Sequence, residues 1–161
     1  MGSTRLGRRS IARRQALVAI VYSQERSELR PSKRGSPRQP GRVVHLELHT
    51  NDLCGASAFY GELLRWRTEQ IDIRSGSYHA LTLGGGLGGG IVECGVPHPR
   101  WLPYVDVEDV AAMTERARGL GASVLLEPRE GPAGWRSVLG SAEGGEIALW
   151  QSKRQLLRGA G

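Results

Sequence analysis

Residues 43–66 read VVHLELHTNDLCGASAFYGELLRW, and this stretch decides the fold. It opens with an alternation over residues 42–49. Val44, Leu46 and Leu48 take one side of an extended chain, and His45, Glu47 and His49 take the other. A period of two marks a strand with one apolar and one polar face. Thr50, Asn51 and Asp52 follow, and short polar side chains of this kind cap helix N-termini. Leu53, Ala56, Tyr60 and Leu63, flanked by Phe59 and Leu64, then keep the three-and-four spacing of an amphipathic helix. Trp66 closes the segment.

The pattern returns 57 residues later. Residues 100–106 (RWLPYVD) read as a strand. Glu108 and Asp109 begin a second helix with Val110, Met113, Ala117 and Leu120 as its apolar positions, and Gly121 is placed to end it. Strand-like runs follow each helix: 78–83 and 91–94 in the first half, 123–126, 135–139 and 146–150 in the second. Turns fall at 131–134 and 141–145. One strand–helix–three-strand unit therefore occurs twice, and an internal repeat is strong evidence about organisation. The predicted class is α+β: two βαβββ modules forming a curved mixed sheet around a small-molecule cup. The helices take the apolar faces of the strands, so the polar faces are predicted to line the cup.

Charge separates the chain into parts. Residues 1–41 hold ten Arg or Lys against two acids, a charge of +8, while the other 12 bases and 14 acids give −2. The basicity belongs to an N-terminal tail and not to the folded part, which excludes a nucleic-acid-binding domain as the reading of the whole. The expected organisation is a basic, disordered tail over 1–41, one domain over 42–152, and a flexible tail over 153–161. Residues 32–41 (SKRGSPRQPG) have linker composition. Upstream, the short apolar run 16–22 follows two Arg pairs, in the order of a secretory leader but without a small-residue cleavage site. A start of the true protein near Val43 and a short helix over 16–29 are the other readings of this region. No stretch has the roughly 18 apolar residues of a membrane span. Two cysteines, Cys54 and Cys94, without a CxxC pattern read as free thiols in a reducing, cytoplasmic setting.

With these segments in hand, the chain resembles the vicinal-oxygen-chelate superfamily of glyoxalases, bleomycin-resistance proteins and extradiol dioxygenases. VVHLELHTNDLCGASAFYGELLRW, WLPYVDVEDVAAMTERARGLGASVLLEP and SAEGGEIALWQ carry the resemblance over residues 42–152. It implies a homodimer and, in the enzymes, one divalent metal (Zn, Fe, Mn or Ni) held by four side chains, two from each half. His45 matches the first ligand, and Glu93 in GIVEC stands for the second. The third position offers Arg100, Trp101 or Leu102, and the fourth is Ala148. Two of the four are therefore lost. The His45–Glu93 pair nevertheless predicts that these two side chains share one side of a sheet. On that basis the alternative function is a metal-dependent lyase, isomerase or dioxygenase with nonstandard further ligands.

The favoured function is binding of a small organic ligand, with no nucleic-acid or membrane partner. His45, Glu47, His49, Tyr104, Glu146 and Trp150 are the candidate ligand-binding residues. Two imidazoles and a carboxylate on one strand face have the donor chemistry of a metal site. The same three groups equally suit the hydrogen-bonding wall of a pocket. Tyr104 and Trp150 add flat apolar surface with a polar handle. His79 reads as a strand side chain without a special role, His98 as a loop residue that could replace the missing third ligand only if the strand starts early, and Arg136 as a surface residue or, less favoured, an anchor for an anionic ligand. The run 84–90 (GGGLGGG) contains a formal G-x-G-x-x-G, but IVECGVPHP follows where a nucleotide-binding loop needs a helix. It reads as a flexible hairpin or rim loop. No Ser-His-Asp or Cys-His arrangement is apparent.

Overall fold

The computed structural model describes residues 41–73, 76–85, 87–131 and 134–153. The expectations for the N-terminal tail, and for the C-terminal tail beyond 153, lie outside the described residues. Contacts divide the protein into two compact units, one of residues 45–101 and one of residues 102–153 with 41–44.

The first unit carries β1 (Val43–Thr50), α1 (Leu53–Leu64), β2 (Arg67–Ile73), β3 (Gly76–Thr82) and β4 (Gly88–Glu93). Its strands run in the order β2-β3-β4-β1. β1 and β4 are parallel, and the other neighbours are antiparallel. The second unit repeats this with β5 (Arg100–Asp106), α2 (Val110–Gly119), β6 (Ser123–Glu130), β7 (Gly134–Gly140) and β8 (Glu146–Ser152). Its order is β5-β8-β7-β6, again with the outer pair β5 and β8 parallel. The α+β class and the two βαβββ modules are as predicted. One strand is new. β2 (RTEQIDI) follows the first helix where the sequence reading has no run. It is an edge strand, and Thr68, Glu69 and Gln70 are exposed, so no apolar run marks it.

Both helices start on the capping chemistry expected of them. The Asp52 carboxylate accepts from the Gly55 N–H at 2.8 Å, and the Asp109 carboxylate accepts from the Ala112 N–H at 2.9 Å. The second helix ends at Gly121, whose φ of 89° lets the chain turn back. The Ala122 and Gly121 N–H groups donate to the Ala117 and Arg118 carbonyls, which closes the last turn. The first helix ends instead on Arg65, with φ 56°.

The buried stripes are narrower than the spacing predicts. In α1, Leu53 is buried and Ala56 and Tyr60 are half-buried, but Leu63 and Phe59 are exposed. In α2, Val110 and Ala117 pack inward, whereas Met113 and Leu120 face solvent. Thr114 takes the buried position instead. Its hydroxyl donates to the Val110 carbonyl at 2.7 Å and lies 2.7 Å from the Ser137 hydroxyl on β7. The Gln151 side chain on β8 accepts from the Val110 N–H, so a strand residue completes the first turn of the helix. Thr114→Val keeps the shape but strands the Ser137 hydroxyl in a dry site. We expect a loss of about 1–2 kcal/mol in chemical denaturation. Ser137→Ala on that background should cost less than it does alone, and strictly additive losses would contradict the link.

Three of the four tryptophans are engaged within their own units. Trp66 stacks on Tyr60 with centroids 5.6 Å apart, and Trp101 meets both edge-on while its indole N–H donates to the Tyr60 hydroxyl at 3.2 Å. Trp135 packs beside the α2–β8 core under the Lys153 ammonium. Trp66, Trp101 and Trp135 are large apolar side chains of the kind a homodimer interface would use. In the fold they are half-buried packing residues.

Candidate functional site

Each sheet has a helix on one side. In the first unit Leu48, Leu81 and Ile91 pack with Leu53 of α1, and in the second Leu139 and Leu149 pack with Val110 of α2. Side chains of opposite parity occupy the helix-free side of each sheet. The candidate residues collect there.

In the first unit the register pairs His45 with Gly88, Glu47 with Gly90 and His49 with Val92. All three polar side chains of β1 therefore stand on the helix-free side, as the alternation predicts. They are drier than a solvent-facing wall: His45 is 1% exposed and Glu47 0%. The Glu47 carboxylate lies 2.6 Å from His49 Nε2, so His49 is held by a buried partner two residues away. Burial lowers the His45 pKa to about 4, although Glu47 pulls it the other way, and the imidazole is neutral at pH 7. Tyr78 on β3 lies on the same side and is fully buried. Its hydroxyl donates to the Gly89 carbonyl, and its ring occupies the space that a Cβ on Gly90 would need. The glycine run therefore divides in two. Gly84 and Gly85 make a turn with positive φ, while Gly88 to Gly90 form β4 and let Tyr78 fold over the strand. Only the first part is a turn, and the second is strand where a loop is expected.

The pair His45 and Glu93 does not meet. Glu93 is the register partner of Thr50, so its side chain shares the side of Leu48 and Ile91, across the sheet from His45. It is exposed there. The prediction of one shared face fails because the parallel register offsets the two strands by an odd number of residues. Of the remaining positions, Leu102 and Ala148 carry no donor atom. No group of three or more metal-ligating side chains occurs among the described residues. The residues present do not fit a four-ligand metal centre of the glyoxalase kind.

In the second unit Tyr104 pairs with Ala148, and Arg136 pairs with Trp150 across β7 and β8. All four side chains stand on the helix-free side. Tyr104 is 1% exposed, Trp150 0% and Arg136 2%. The surface reading of Arg136 fails, because the side chain is buried. Its Nη1 donates to the Tyr104 hydroxyl at 3.2 Å. The Trp150 indole N–H, fully enclosed, has no hydrogen-bond partner among the described residues. An enclosed donor of this kind costs about 1–3 kcal/mol unless something answers it. Glu146 follows the same parity on β8 and is half-buried.

The other candidates lie elsewhere. His79 faces α1, where its Nδ1 is 2.9 Å from the Ser57 hydroxyl, a strand-to-helix tie with no counterpart in the sequence reading. His98 is exposed in the loop before β5. Cys54 is exposed on α1 and Cys94 half-buried, and both are free. Burial and the Glu47 charge push the Cys94 thiol up to about 11, so it is no nucleophile at neutral pH. No described helix is long and apolar enough to cross a membrane.

Comparison with known proteins agrees with this arrangement. The glyoxalase-like domain family matches residues 45–150. A hypothetical protein of Bacillus halodurans C-125 superposes with a TM-score of 0.56 at 15% identity, over 71% of this chain and 96% of that one. Methylmalonyl-CoA epimerase from Mycobacterium tuberculosis gives 0.53 at 19% identity, over 73% and 91%. The Streptomyces coelicolor methylmalonyl-CoA epimerase, in complex with 2-nitronate-propionyl-CoA, gives 0.52 at 18%, over 71% and 96%. At such identities the likeness is one of fold. No curated protein matches the sequence. The doubled βαβββ module and the family match over residues 45–150 lead to one conclusion: the chain belongs to the glyoxalase-like domain family, within the vicinal-oxygen-chelate superfamily.

Proposed function

We propose that the protein binds a small organic molecule on the helix-free sides of its sheets, through side chains and without a glyoxalase-type metal, in the manner of a bleomycin-resistance-type sequestering protein. The observation that carries this reading is the placement of Glu47, His45 and Arg136, with Tyr104 and Trp150, in dry positions on those sides. Charged and polar groups in such positions cost stability unless they are matched by partners. Polar groups on the helix sides tie strand to helix, as Thr114 does with Ser137, whereas His45, Glu47, Tyr104 and Arg136 collect on the sides that no helix covers. His45, Glu47 and His49 are the polar contacts in the first unit. Tyr104, Glu146 and Trp150 are those in the second. The same reading takes the protein to be a cytoplasmic homodimer, in keeping with two free thiols.

Native mass spectrometry of protein purified without a His-tag tests all of this in one preparation. The expected spectrum is a dimer with no stoichiometric metal, unchanged by chelator, that gains mass when incubated with small organic ligands. A metal ion at one per chain, lost in His45→Ala, would overturn the metal-free reading. A strictly monomeric spectrum would remove the dimer.

A further inference from the structure

The first helix lacks the solvent face that its counterpart has. α1 (LCGASAFYGELL) holds one charged residue in its 12, Glu62. It exposes Cys54, Gly55, Ala58, Phe59 and Leu63, with Phe59 57% and Leu63 62% exposed. α2 has the same place in the repeated module, yet it exposes Glu115, Arg116 and Arg118, and Arg118 lies 3.0 Å from Glu127 on β6. A surface helix is ordinarily polar on the side away from its sheet, and a helix that is apolar all round is covered all round. We propose that this face of α1 docks a second copy of the chain, the two α1 helices packing antiparallel about a two-fold axis at Phe59. The proposal rests on the homodimer of the reading above and gives it an interface.

The pattern along the face selects a second copy in that orientation. Gly55, Phe59 and Leu63 follow one another at intervals of four and so form one ridge along the helix. Antiparallel packing sets Leu63 of each copy over the partner's Gly55, a large side chain onto bare backbone. It also brings the two Phe59 rings together at the axis. A two-fold contact requires a surface that complements itself. Parallel packing would crowd Leu63 against Leu63 and leave Gly55 facing Gly55.

Charge at the two ends of the helix agrees. Asp52 is exposed at the N-terminal end of α1 and Arg65 at its C-terminal end. Arg65 has no ion pair among the described residues. The antiparallel arrangement brings each Arg65 towards the partner's Asp52, so opposite charges flank the apolar centre at both ends, as in the polar rim of an interface. Parallel packing would set Asp52 on Asp52 and Arg65 on Arg65.

Sedimentation velocity of the full chain from about 1 to about 100 µM tests the face. Wild type should sediment as a dimer. Phe59→Glu and Leu63→Lys should each weaken association about 30-fold or more. Circular dichroism and the thermal midpoint should stay near those of wild type, because both side chains are exposed in the single chain. Arg65→Asn suits the φ of 56° at that position. It should weaken the dimer several-fold in dilute buffer and leave it unchanged at roughly 0.5 M salt. A dimer undiminished in both Phe59→Glu and Leu63→Lys would overturn the face and leave the homodimer standing. A wild type that stays monomeric at about 100 µM would overturn the face and the homodimer together, and would leave the face to the chain's own N-terminal segment or to another protein. Ligand binding on the helix-free sides is untouched by either result.

Discussion

Gly90→Ala should destabilise the protein by about 2–4 kcal/mol, a large effect for one methyl group. The methyl has nowhere to go, because the ring and hydroxyl of Tyr78 already fill that space. Tyr78 is fully buried on β3 and anchored by its bond to the Gly89 carbonyl. Making room means rotating the ring out of its place among Ala80, Val92 and Ile71 and breaking that bond. Each part costs on the order of 1–2 kcal/mol. Chemical denaturation of the variant gives the value directly. Tyr78→Leu is the control, since it removes the obstacle. Adding Gly90→Ala to Tyr78→Leu should then cost less than 1 kcal/mol. A full loss on that background would mean that the glycine serves some other purpose.

The second large effect is acid sensitivity from His45. Its folded pKa is about 4 against 6.5 for an ordinary histidine, because the ring is shut away from water. Between these values the unfolded chain takes up a proton that the folded chain refuses. Stability must therefore fall as pH drops from about 6.5 to about 4. It is unaffected by this group above 6.5, where both states are neutral, and changes no further below 4, where both are charged. The full difference amounts to about 3 kcal/mol. His45→Gln removes the titrating group, so the gap between wild type and variant should close by that amount as pH falls from 7 to 4. Denaturation curves at half-unit pH steps measure it. Parallel curves for the two proteins would show that His45 is not buried neutral.

The repeat was legible because each half keeps its own local signals. The alternation in β1, the capping residues Asp52 and Asp109, and Gly121 all act within a few residues of themselves. Features that depend on the partner strand were not legible. Glu93 falls on the wrong side for His45 because of an offset between β1 and β4, and one strand's sequence does not encode that offset. Arg136 lies between Trp135 and Ser137, and only its pairing with Trp150 shows that it faces inward on the helix-free side. The edge strand β2 has no buried apolar run to mark it. Leu63 and Leu120 fit a helical stripe by spacing, yet each comes at the end of its segment and both are exposed.

Among the candidate residues, the sequence identified the type of group better than its environment. Polarity and alternation point to His45, Glu47, Tyr104 and Trp150, and all four stand on the helix-free side. Their dryness was not foreseen. That dryness explains both the neutral imidazole and the enclosed indole N–H.

Along β8, neighbouring side chains point to opposite sides, so a single strand can report which side takes the ligand. Methyl and indole spectra recorded while small organic ligands are titrated in should show Ala148 and Trp150 responding while Leu149, between them, stays still. A response at Leu149 and Leu139 without Trp150, or one confined to the exposed Phe59 and Leu63 of α1, would contradict a binding function on the helix-free side.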